Sequence, residues 1–190
     1  EVAEFAPVAI CVDRFAEGRG LAELIRAWFP IADRWPSAKL WLIGDGPLRD
    51  SLYQSVVDLG LRQQIAMPGS FDELSELYHA ADLFVSPAPD YGMSQALVEA
   101  MAAGLPIIAS DTPDVREIIE DAIHGYLIPP GDRQRMSARI AQLFESTDVA
   151  LRQGEAARRL ANECYSLARV VEDHITLFKQ LAHFAARGTA

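Results

Sequence analysis

Short apolar runs alternate with longer amphipathic ones along most of the chain. "VAICV" (8–12), "KLWLIG" (39–44), "QIAMPG" (64–69), "DLFVSP" (82–87), "PIIAS" (106–110) and "YLIPP" (126–130) are brief and bounded by Gly, Pro or Asp. Strands covered on both faces read this way. Between them, wider apolar spacing predicts helices near 18–30, 47–59, 71–80, 93–103 and 114–120. After the sixth strand it predicts helices near 133–146, 149–162 and 167–185. Helix punctuation agrees, with Pro47 opening one helix after Asp45 and Gly46, and Gly60 and Gly104 closing others.

Six strand–helix repeats predict an α/β fold: a doubly wound, Rossmann-like domain with a six-stranded parallel sheet and helices on both faces. The commonest order for such a sheet is 3-2-1-4-5-6, with ligands at the carboxyl ends of strands one and four, where the winding reverses. The expected division is 1–148 for the Rossmann-like domain and 149–190 for a helical C-terminal extension of the same domain. The opening "EVAEFAPVAICV" runs almost at once into a strand, as the edge of a cut domain would.

Composition narrows the partners. At 190 residues, half of them hydrophobic, the chain can bury a full core. A net charge of −10 argues against a nucleic-acid partner, whose binding would need a basic face. A small anionic ligand held by local arginines remains compatible with it. Of the 17 basic residues only Lys39 and Lys179 are lysines, so a basic site here is built from arginine. Cys11 and Cys164 form no disulfide framework or zinc spacing, which makes a cytoplasmic location the default. No run is apolar for long enough to be a transmembrane segment, and no signal peptide is visible.

Two loops meet at the expected switch point. "DRFAEGRGL" (13–21) places Arg14 and Arg19 around a glycine-containing turn. "SPAPDYGMS" (86–94) leads into the helix that carries Glu99. Free amides at a helix start and two guanidiniums suit a diphosphate. In isolation Arg14 and Arg19 would read as surface partners of Asp13 and Glu17; their position on this loop favours the anion reading. Glu99 lies some 8 Å along its helix at 1.5 Å per residue, too deep for the phosphates but placed for ribose hydroxyls. The plainer alternative makes Gln95, Glu99 and Ala103 a solvent-facing stripe. "GDGPLR" (44–49) resembles the start of a dinucleotide fingerprint but follows the second strand and lacks the third glycine. No Asp-x-Asp triplet occurs, so no metal is expected and no cofactor is implied. His79, His124, His174 and His183 are scattered and read as structural or surface residues. Trp28, Trp35 and Trp41 read as core or sheet cover.

Taken together, these segments resemble a family. "VDRFAEGRG", "LWLIGDGPLRDSL", "MPGSFDELSELYHAADLFVSP", "YGMSQALVEAMAAGLPIIASD" and "REIIEDAIHGYLIPPGD" follow the order and spacing of retaining glycosyltransferases with the GT-B fold, of the group 1 or family 4 type. The likeness runs from about residue 8 to 147 and implies the C-terminal, donor-binding half of such an enzyme. It implies that Arg14 and Arg19 stabilise the departing diphosphate, with Arg19 in place of the usual lysine, and that Glu99 binds the ribose. It places the nucleobase against the backbone of Ile65, Ala66 and Met67, taken as the end of strand three. The diphosphate and sugar would face Gly92, Met93 and Ser94. Three positions depart from the family. Tyr91 stands where the first glutamate of a Glu–x7–Glu pair contacts the sugar, with Asp90 as a neighbouring substitute. Asp13 replaces a glycine, and Pro113–Asp114 replaces a glycine pair.

The expected function is donor binding for transfer of a hexosyl unit from a nucleoside-diphosphate sugar to a hydroxyl acceptor, with retention. The expected partners are that nucleotide-sugar and an N-terminal acceptor domain missing from these 190 residues. The fragment alone is then inactive, its last helices should show uncovered apolar surface, and membrane contact through the missing half stays open. The rivals are a non-catalytic or decayed member marked by Tyr91, a nucleotide-sugar epimerase of the same fold, and, more distantly, a phosphoacceptor signalling domain.

Overall fold

A computed structural model describes residues 6–89 and 94–187, with the side chains of 182–187 left aside. Its strands are β1 (Val8–Val12), β2 (Lys39–Ile43), β3 (Ile65–Gly69), β4 (Leu83–Ser86), β5 (Ile107–Ser110) and β6 (Gly125–Ile128). They form a parallel sheet in the order β3-β2-β1-β4-β5-β6, as the alternation predicts. The helices are α1 (Leu21–Arg34), α2 (Arg49–Asp58), α3 (Ser75–His79), α4 (Gln95–Ala103), α5 (Pro113–Arg116), α6 (Arg133–Glu145), α7 (Thr147–Cys164) and α8 (Leu167–Arg187). No described helix is long and apolar enough to cross a membrane.

The strands sort their side chains by alternation. Ala9, Cys11, Leu40, Leu42, Leu83, Val85 and Ile108 enter the layer packed by α1 and α6. Ile10, Ile43, Phe84, Ile107 and Ala109 enter the opposite layer, packed by α4 and α7. Trp28, fully buried, meets Phe144 edge-on at 6.2 Å, and Trp35 meets the same ring at 6.0 Å, tying α1 to α6.

Three helix limits differ from expectation. α1 continues through Pro30 to Arg34 because Pro30 is exposed while Ile31 and Ala32 carry the buried stripe onward. α3 starts late, at Ser75, whose N–H donates to the Glu73 carboxylate at 2.9 Å. α5 is a single turn opened by Pro113 and capped by the Thr112 hydroxyl, which accepts from the Val115 N–H.

α7 joins the core, burying Ala157 and Ala161. It crosses the end of α4 so closely that a Cβ on Gly154 would lie 2.0 Å from the Gly104 carbonyl oxygen. Gly154→Ala should therefore cost about 1–3 kcal/mol, the usual range for overpacking. Urea unfolding would show this as a lower midpoint at unchanged slope, and an unchanged midpoint would refute the contact. α8 differs from α7, leaving Leu167 80% and Phe178 64% exposed, with Val171, Ile175 and Leu181 also uncovered. The uncovered apolar surface expected of the C-terminal helices thus lies on α8, with Leu151 its one large exposed side chain on α7.

Candidate functional site

The loop from β1 to α1 is held down before it presents any side chain. Phe15 is fully buried beneath it. The Asp13 N–H donates to the Ile43 carbonyl (3.1 Å), the Phe15 N–H to Asp45 (2.9 Å), and the Leu48 N–H back to Phe15 (2.9 Å). This loop and the one after β2 are therefore laced together along their backbones. The approach requires glycine: a Cβ on Gly44 would sit 1.9 Å from the Asp13 carbonyl oxygen, and one on Gly46 2.5 Å from that of Phe15. The glycines of "GDGPLR" thus serve loop packing.

Above this lattice opens a cavity of about 680 Å³ at the carboxyl ends of the strands. Arg14 and Arg19 line one side and Ser94, Gln95 and Ala96, the start of α4, line another. Ser94 caps α4 in extended conformation without a side-chain capping hydrogen bond. The first intrahelical bonds run from the Leu97 and Val98 N–H groups to its carbonyl. Two guanidiniums and a helix start consequently share one space. Asp90, Tyr91, Gly92 and Met93 lie outside the described residues.

Asp13 lies in the same cavity. Its Oδ1 accepts from the Arg14 N–H at 2.6 Å and sits 3.4 Å from the Arg19 guanidinium, both side chains being mostly shielded from solvent (16% and 21% accessible). Burial pushes the Asp13 carboxyl above the usual carboxylate range, against the pull of that hydrogen bond and of Arg19.

Glu99 borders an adjoining cavity of about 390 Å³, and Leu74 lines both. Half-buried, it accepts from Gln95 Nε2 (2.7 Å) and from the Tyr78 hydroxyl (3.2 Å). The Gln95 contact is the i, i+4 pairing of the plainer stripe, but Tyr78 draws the carboxylate inward. Burial first, and then the neighbouring Glu99 charge, push the Tyr78 phenol far above its ordinary range, so it remains a donor at any physiological pH. Tyr78 is a site residue that pattern reading missed. An aromatic side chain on an amphipathic turn signals core, and its partner lies 21 positions away.

Ile65, Ala66 and Met67 require a correction. They open β3 rather than close it, with Ile65 in the core and the Met67 carbonyl accepting from Arg49 (2.9 Å). The carboxyl end is Gly69, and Ser70 and the half-exposed Phe71 beyond it line the large cavity. None of the three lines the large cavity, and their contact with a nucleobase stands only as what the resemblance implies. Pro113 and Asp114 form the first turn of α5, beside a separate cavity where Arg116 makes a paired hydrogen bond to Asp111. That pairing holds the Asp111 carboxyl below its usual range.

Comparison with known proteins places this geometry in context. Residues 2–160 match the family described as glycosyl transferases group 1. The lipopolysaccharide core biosynthesis glycosyltransferase LpsE of Rhizobium meliloti is 26% identical over 172 residues, covering 90% of this chain and 49% of LpsE. The chain thus spans about half the length of the curated relatives it matches. Among solved structures, Anabaena HepE in complex with UDP and glucose superposes with a TM-score of 0.79 at 25% identity, over 95% of this chain and 48% of HepE. The C-terminal domain of the Francisella tularensis group 1 family protein LpcC superposes with a TM-score of 0.76 at 25% identity, over 85% of this chain and 89% of that domain.

Proposed function

The chain belongs to the glycosyl transferases group 1, and from that premise we propose that it is the donor-binding half of an enzyme moving a hexosyl unit from a nucleoside-diphosphate sugar to a hydroxyl acceptor. One observation carries the reading: Arg14, Arg19 and the start of α4 line a single cavity, and Glu99 stands half-buried one turn further along. The diphosphate occupies the arginine side, the ribose hydroxyls reach Glu99, and the base lies toward Ser70 and Phe71. That HepE was captured with UDP and glucose supports the ligand class.

Chemistry follows from where charge develops. The acceptor oxygen bonds the anomeric carbon as the bond to the diphosphate breaks, and the electron pair leaves on the diphosphate oxygen. Guanidinium charge and helix amides waiting there lower the barrier without reorganising. Attack from the leaving group's own face retains configuration and lets the departing oxygen take the hydroxyl proton. The apolar face of α8 is read as docking on the acceptor half of the enzyme. These 190 residues then bind donor without transferring it.

Titration calorimetry with UDP-glucose, GDP-mannose and ADP-glucose tests the reading, which expects one of them to bind at or below millimolar Kd. Silence from all three would overturn it. Glu99→Ala should weaken the bound nucleotide-sugar about ten- to a hundredfold, the loss of one charge-assisted bond. A 2′,3′-dideoxy analogue should bind the variant and the parent equally, which separates ribose contact from general damage. A product analysis showing an epimerised nucleotide-sugar without acceptor would favour the epimerase. A large gain of transfer in the full-length protein on Tyr91→Glu would favour a decayed member.

A further inference from the structure

Asp13 has no part in the reading above, yet it occupies the space that reading gives to a diphosphate. We infer that Asp13 is a built-in competitor for Arg19, so that donor binding takes the guanidinium from its carboxylate and draws a proton onto it. This rests on the proposed nucleotide-sugar site and adds a control to it. The ion pair at 3.4 Å lies inside the cavity rather than on its outer surface, and it neutralises half of the basic pair before any ligand arrives.

The carboxylate has little freedom to withdraw. Its backbone is bonded to β2 through the Ile43 carbonyl, and its Oδ1 is bonded to the next N–H of the loop. The charged groups facing it come from few elements. Arg14 and Arg19 belong to its own loop, Asp45 comes from the loop after β2, and the buried, uncharged Cys11 thiol lies behind it in β1. The described start of α4 contributes only the uncharged Ser94, Gln95 and Ala96. When a diphosphate takes Arg19, one of the two interactions that favour the ionised Asp13 is lost, the Arg14 N–H bond remaining, and two further negative charges arrive. Protonation is the outcome that relieves both.

The sign follows directly. The carboxyl titrates higher with ligand bound than without, so binding takes up protons between the two values. Affinity rises as pH falls through that window, by at most about tenfold per pH unit for one proton. It is flat above the window, where both states are ionised, and flat again below it.

UDP-glucose, GDP-mannose and ADP-glucose are suitable probes because their phosphates, esterified at both ends, do not titrate near neutrality. Calorimetry in half-unit steps from pH 5 to 8, in buffers of contrasting ionisation enthalpy, reads proton uptake directly. The parent chain should show a buffer-dependent enthalpy and tighter binding toward the acid end. Asp13→Asn should remove both dependences and tighten binding at pH 8 about tenfold, the order of one charge-assisted interaction. Asp13→Gly should behave alike, which excludes a new amide contact as the cause. Inorganic pyrophosphate, compared between the chains at one pH, separates the two readings. If pyrophosphate binds tighter to Asp13→Asn while no nucleotide-sugar binds either chain, the donor reading falls and the competitor stands. If a nucleotide-sugar binds both chains equally and without proton uptake, the competitor falls and the donor reading stands. Binding of neither probe to either chain overturns both.

Discussion

Replacing Arg14 and Arg19 together by alanine is expected to lower nucleotide-sugar affinity by about two to four orders of magnitude, since each charge-assisted bond is worth about 1.5–3 kcal/mol. The two losses differ in kind. Arg14 is exposed at the rim, so its removal deletes one attraction and leaves little behind. Arg19 is mostly shielded and stands 3.4 Å from Asp13, so its removal leaves a shielded carboxylate facing the incoming phosphates. Arg19→Ala should therefore be the more damaging single change, and Asp13→Asn should restore part of its loss. Arg19→Lys should recover the charge but only part of the affinity, because an ammonium cannot offer the paired geometry of a guanidinium. Arg14→Ala should scarcely move thermal unfolding, whereas Arg19→Ala, which leaves the shielded Asp13 carboxylate without its ion pair, should lower it. Calorimetry on the parent and these variants checks this; an Arg14→Ala, Arg19→Ala double variant binding within threefold of the parent would remove the arginines from the site.

How much of this was open to a reader of residues depends on the range over which each feature is determined. The strands were legible because a strand covered on both faces must be apolar over consecutive positions, and "VAICV" or "LFVS" allow little else. The order of the sheet followed from alternation, and with it the meeting of Arg14, Arg19 and Ser94 in one cavity. What failed depended on distant partners or on direction. The resemblance sets the nucleobase against Ile65–Met67, whereas the residues of this segment that line the cavity are Ser70 and Phe71, beyond the end of the strand at Gly69. Tyr78 carries no site signal in the sequence because its bond to Glu99 exists only once α3 lies beside α4. Asp13 was visible as a departure from the family. Its pairing with Arg19 is the plainer alternative that the sequence offered; that the pair lies inside the cavity rather than on the open surface needed the fold of the intervening turn.

The second large effect concerns a residue that touches no proposed ligand. Gly44 lies at φ +136°, and a methyl group there would sit 1.9 Å from the Asp13 carbonyl oxygen and 3.4 Å from the Phe15 ring. Neither side can yield easily. The Gly44 N–H is bonded to the Gly69 carbonyl, while the opposing loop is held through the Asp13 and Phe15 N–H groups and the Phe15 carbonyl. Gly44→Ala should accordingly combine backbone strain with overpacking, for a loss of about 2–6 kcal/mol. Against a total of about 5–15 kcal/mol for a domain, some of the variant will still fold. The displaced element is the one that carries Asp13, Arg14 and Arg19, so the folded fraction should also bind donor at least about tenfold more weakly, as loss of one charge-assisted bond would cause. Gly60→Ala supplies the control: its φ of +71° carries similar left-handed strain, yet nothing lies within 4 Å of the added carbon. It should cost only about 1–2 kcal/mol and leave binding unchanged. Urea unfolding and calorimetry on both variants separate strain from collision. Equal losses in the two would mean that the loops after β1 and β2 do not depend on each other's approach, and the arginines would then owe their position to something other than "GDGP".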